Sequence, residues 1–193
     1  GNEGGLEDSA SYGAAAVFDG LLYFAATDDS GTELWQTDGT EAGTVRVADI
    51  ATGSSYGYGG SVAASSYPYS LTPAGNLLFV SAEAAESGRE LWKTDGTAAG
   101  TVLVADINPS TNSVWPYQGS GSYPSDLTAV GSTLYFTADE GGSRRLWKTD
   151  GETTERVAAV EVAPLGLAAV DGGLFFTSSS SLSGNELHRL DVG

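Results

Sequence analysis

The chain has 193 residues, enough for one ordinary domain over 1–193 with a sizeable core, and 40% of it is hydrophobic, unlike a disordered chain. Eight Lys and Arg stand against 25 Asp and Glu, a net charge of −17 that argues against a surface for nucleic acid or acidic lipid. No cysteine is available for disulfides or thiolate metal sites, and no apolar run approaches the roughly 18 residues of a membrane helix.

In chain order, the first residue is Gly1 and not Met, which reads as a processed product or an excised piece. After the stretch GNEGGLEDSASYG comes "AAAVFDGLLYFAATDDSGTELW", which reads as a short strand, a glycine turn, an apolar strand, an acidic loop and an "LW" strand. A "TDGT" turn and "TVRVADI" complete this unit at about 14–50. The same order returns at about 70–107, with "LLFV" and "ELWKTDGTAAGTVLVADI", and at about 127–163, with "TLYF" and "RLWKTDGETTERVAAVEV". A partial fourth unit at about 165–193 ends on "ELHRLDVG", where the last strand of the pattern is missing. Glycines and β-branched residues interrupt every candidate helix.

The second strand of each unit is a continuous apolar run, so it expects cover on both faces. Four-stranded meanders covered on both sides, repeating with Trp35, Trp92 and Trp147 at near-equal intervals, predict an all-β fold. The predicted architecture is a β-propeller of three full blades and a partial fourth, as a four-bladed ring or part of a larger one. In the repeated phrase, Asp38-Gly39, Asp95-Gly96 and Asp150-Gly151 read as hairpin turns in which glycine supplies positive φ. Metal ligands or catalytic acids are the alternative reading of those aspartates. The tryptophans read as packing between blades.

The phrase "ELWKTDGTAAGT" resembles the ELWxxDGT repeat family of bacterial proteins, sometimes labelled hyalin-like, over essentially the whole chain. Departures are Arg145 for glutamate, Glu152 for threonine and His188 for the fourth tryptophan. The resemblance implies a secreted or surface-displayed repeat protein and no catalytic activity. Loops rich in Gly, Ser, Thr and Tyr, with little lysine, also point to an extracellular setting.

In a meander the long connections fall on one side, and binding residues concentrate on such loops. Two of them carry Tyr56, Tyr58, Tyr67, Tyr69, Trp115, Tyr117 and Tyr123 among Gly, Ser, Pro and Asn. Rigid rings with small polar neighbours suit adaptable recognition, and sugar rings stack on such platforms; sealing the core is the other use for these residues. Asp28, Asp29, Glu83, Glu86, Asp139 and Glu140 lie on the same side, with Asp49 and Asp106 ending the fourth strands. Such carboxylates would take calcium, although no fixed calcium-loop spacing occurs and solvated charge explains the same letters. The lone His188 replaces a packing tryptophan, and no GxSxG elbow is present, so no catalytic residue is assigned. The expectation is a secreted, non-enzymatic adhesion module that binds a glycan or other cell-surface ligand. The alternative is a structural subunit that joins copies of itself through its incomplete blade, and a third reading is a glycoside-active enzyme using loop carboxylates.

Overall fold

The computed structural model describes residues 15–57, 60–109, 121–160, 163–180 and 184–192. Among these there are seventeen strands and no helix. The first sheet is an antiparallel meander of β1 (Ala16–Phe18), β2 (Leu21–Asp28), β3 (Gly31–Thr37) and β4 (Val45–Ala48). A two-stranded hairpin follows, β5 (Ser54–Gly57) and β6 (Gly60–Ala63). It lies where the sequence predicts only loop, because its glycine-rich letters carry little strand propensity.

The second sheet holds β7 (Tyr69–Ala74), β8 (Leu77–Ala84), β9 (Gly88–Thr94) and β10 (Val102–Ala105). The third holds β11 (Ser125–Val130), β12 (Thr133–Glu140), β13 (Ser143–Thr149) and β14 (Thr154–Arg156). The fourth has three strands, β15 (Pro164–Val170), β16 (Gly173–Ser180) and β17 (Gly184–Asp191). The leading strands β1, β7, β11 and β15 lie beside one another in that order, so the sheets stack in sequence.

Each sheet has a forward face, toward the next sheet in the chain, and a rear face. Side-chain alternation along a strand assigns residues to the two. Phe18, Tyr23 and Leu34 on the forward face of the first sheet pack with Leu78, Val80 and Ala82 on the rear of the second, and Trp92 packs against this cluster. The pattern repeats one unit later, with Ala74, Phe79 and Leu91 against Leu134, Phe136 and Ala138, joined by Trp147. It repeats again with Tyr135 and Leu146 against Leu174 and Phe176. At the fourth tryptophan position His188 stacks on Phe176, centroids 5.1 Å apart, with Nε2 2.7 Å from Ser178 Oγ. Removing a leucine or phenylalanine from water contributes about 1.5–3 kcal/mol, so these three repeated interfaces dominate the stability.

The TDGT turn is a self-contained hydrogen-bond unit that also docks on the sheet behind it. Asp38 Oδ1 accepts the Thr40 N–H at 2.9 Å and its hydroxyl at 2.7 Å, while the Gly39 N–H donates to Thr37 Oγ1 at 2.9 Å. Asp95 and Asp150 repeat the arrangement, and these hydrogen bonds hold all three carboxyls below their ordinary pKa. Gly39, Gly96 and Gly151 have φ of 92°, 94° and 94°. A Cβ on Gly96 would lie 2.7 Å from the Tyr23 hydroxyl oxygen, and one on Gly151 would lie 2.4 Å from Leu77 Cδ1. Around Gly39, which no preceding sheet meets, nothing lies within 4 Å. Gly39→Ala should therefore cost only the left-handed strain, about 1–2 kcal/mol. Gly151→Ala should cost clearly more in urea unfolding, because it adds a clash with the second sheet.

Candidate functional site

Two long crossovers, 49–68 and 106–124 in the sequence, connect consecutive sheets, and their described ends lie on the face opposite the TDGT turns. Each ends in the letters Ser-Tyr-Pro, and each is pinned to the sheets on both sides. Glu33 and Glu90 of the repeated "ELW" are fully buried, at 0% exposure. Glu33 Oε1 accepts the Ser66 N–H at 3.0 Å, and Oε2 accepts the Ser66 hydroxyl at 2.6 Å and the Ile50 N–H at 3.0 Å. Glu90 binds the Ser122 N–H at 2.7 Å, the Ser122 hydroxyl, and the Ile107 N–H at 3.4 Å. One carboxylate thus ties the start of a crossover to its end.

The next sheet holds the same peptide from the other side. The Ser66 carbonyl accepts the Glu83 N–H at 2.8 Å, and the Ser122 carbonyl accepts the Asp139 N–H at 2.7 Å. Arg89 Nη1 donates to the Tyr67 carbonyl at 3.0 Å, and Arg144 Nη2 to the Tyr123 carbonyl at 3.2 Å. Held in this way, Tyr67 and Tyr123 adopt left-handed φ of 43° and 49°, uncommon for bulky residues. Both are exposed, at 40% and 52%.

Of the other aromatic candidates, Tyr69 is half-buried and structural. Its hydroxyl donates to the Pro124 carbonyl at 3.2 Å, and the Arg89 guanidinium lies 4.8 Å over its ring. Tyr56 sits in β5 opposite Ser61. Tyr58, Trp115 and Tyr117 lie outside the described residues. Beside the first crossover a groove of about 370 Å³ opens between the first two sheets, lined by Ile50, Thr52, Glu86, Ser87, Trp92 and Leu103 among others. That volume is at the low end for small-molecule sites. The Trp92 indole N–H is buried without an acceptor, but so are those of Trp35 and Trp147, so this feature belongs to the repeat and not to the groove.

The acidic candidates are spread among arginines. Asp28 lies 3.9 Å from Arg46, Glu83 3.3 Å from Arg89, Asp139 3.1 Å from Arg144 and Glu140 3.6 Å from Arg156. Asp28 also accepts the Ser30 N–H at 2.8 Å, and Asp29 and Glu86 are carried on the adjoining turns. Among the described residues, no three Asp, Glu or His side chains converge in a metal-binding set. A calcium centre is therefore not what the geometry brings together from these six. The sequence reading missed Glu33 and Glu90. A signal was present: each is followed by serine in Ser-Tyr-Pro, whereas the third copy has Arg145, Val162 and only a short connection, 157–163.

Burial raises the pKa of Glu33 and Glu90 above 4.5, outweighing the hydrogen bonds that would lower it. A raised folded value means that their contribution is full below the unfolded pKa and is lost as pH rises through the folded one. Glu33→Ala strands two N–H groups and a hydroxyl, and should cost about 3 kcal/mol or more, while Glu186→Ala, exposed in β17, should stay within about 0.5 kcal/mol. Glu33→Gln should be destabilised but flatter with pH. Its deficit against the unaltered protein should shrink as urea midpoints are followed upward from pH 4.5, and a widening gap would contradict this account. Compared with known proteins, the chain matches no family model and no curated sequence.

Proposed function

We propose that the four sheets are blades of a β-propeller and that the protein is a secreted, non-enzymatic binding module whose crossover face engages glycan. The blade reading rests on the in-order stacking of meander sheets and the matched apolar cover on both sides of β8 and β12. The binding reading rests on one observation above all. Tyr67 and Tyr123 stand at equivalent positions, on backbones anchored from two sides, and both residues are exposed.

A left-handed bulky residue costs conformational energy, and such strain concentrates where a surface is shaped for a ligand. Rings held in fixed positions lose little entropy when a flat apolar partner stacks on them. The C–H face of a pyranose is such a partner, and the adjacent groove offers the hydroxyls of Thr52 and Ser87 and the carboxylate of Glu86 for its hydroxyls. The ELWxxDGT resemblance supports the secreted setting.

Glycan-array screening of the whole chain, with and without calcium, should yield ligands. Tyr67→Ala and Tyr123→Ala should each weaken binding about three- to tenfold, the value of one aromatic contact, with folding of each variant checked by its melting temperature. Unchanged affinity in the double variant, or no glycan bound in any calcium condition, would remove this reading.

A further inference from the structure

The chain makes the same sheet-to-sheet interface three times and leaves the two halves of a fourth one partly exposed, with Phe24, Trp35 and Phe175 half-buried on them. On the forward faces, Leu34, Leu91 and Leu146 are each 0% exposed. The equivalent residue of the fourth sheet, Leu187, is 72% exposed, and with it Val170 is 52% exposed. On the rear faces, Leu78, Leu134 and Leu174 are each 0% exposed, but Leu22 of the first sheet is 40% and Val17 69% exposed. The leucine positions that the repeat uses as core, those of Leu22 and Leu187, are at the surface only at the two ends.

The polar parts of the interface are also present as an unjoined pair. At an internal interface, Lys93 Nζ donates to the Gly151 carbonyl at 2.6 Å and pairs with Glu152 at 3.1 Å, clamping the next sheet's turn. Arg189 occupies the equivalent place on the fourth sheet, over the Phe175 ring at 5.7 Å. Its missing counterpart has the form of the first sheet's turn, Asp38-Gly39-Thr40-Glu41, where Gly39 keeps the left-handed φ of its equivalents and has nothing packed against it. A glycine kept for close approach, a cation placed to clamp it, and two apolar faces of matching pattern define one interface cut in half.

We propose that the forward face of the fourth sheet binds the rear face of the first sheet of a second copy, head to tail. Among the described residues, the first and fourth sheets lack the strand-to-strand packing that joins successive sheets, and the partner whose faces match theirs is a second copy of the chain. The contact continues the three interfaces already formed. It uses different patches on the two partners, so it builds a ring if the rotation closes and a filament if it does not. It is a face contact and leaves the outer edge of β17 unused.

Sedimentation velocity and electron microscopy of the whole chain over a range of concentrations test this. The unaltered protein should associate beyond a dimer, unless a two-copy ring closes. Leu187→Glu and Leu22→Glu, both at exposed positions and so expected to keep the melting temperature, should each weaken association by about a hundredfold or more, because a charge would be buried unpaired. An equimolar mixture of the two variants retains one good rear face and one good forward face. It should give a heterodimer and nothing longer. A chain that is monomeric at every concentration, as closure onto its own first sheet would make it, overturns the proposal. So does association unaffected by both variants, as edge pairing along β17 would give. The loop-face reading is untouched by either result.

Discussion

A strand that is apolar on both sides is stable only between two other layers, and this requirement organises the molecule. β8 and β12 carry such runs, and each is satisfied by stacking one repeat unit on the next. Because the pattern of leucine, aromatic residue and tryptophan is shared, each interface reuses the same solution, and the TDGT turn completes it by docking on the sheet behind. Stability is then close to a sum over neighbouring pairs, as in other repeat architectures.

Stacking alone leaves long connections that run from the end of one sheet to the start of the next, with backbone groups to satisfy. Glu33 and Glu90 solve that problem locally. A carboxylate has enough lone pairs to accept three donors from two segments at once, which no apolar or amide side chain does. Burying it is costly, as the raised pKa shows, but it fixes the Ser-Tyr-Pro segment between two sheets. The tyrosine of that segment is left exposed in both crossovers.

The parts legible in the sequence were those written several times in neighbouring letters. The meander, the double-sided second strand and the Asp-Gly turn follow from local pattern, and the structure has four antiparallel sheets where four units are read. What escaped depends on partners far along the chain. Glu33 and Ser66 meet only after a crossover, and their pairing shows in the sequence only as a joint loss with Arg145 and Val162. The ion pairs between Asp28 and Arg46, and between Glu140 and Arg156, depend on which strand positions face each other across a sheet. That register is not visible in composition, so the sequence leaves calcium ligands and solvated charge as alternative readings of these acids.

The two middle sheets are sandwiched, whereas among the described residues the outermost ones have a neighbouring sheet on one side alone. Opening should therefore be graded along the stack, with the three-stranded C-terminal member fraying first and the interior exchanging its amide hydrogens last. Such a gradient makes the ends of the stack adaptable while its middle stays rigid. Contacts there can be remodelled without melting the scaffold that carries the crossover tyrosines.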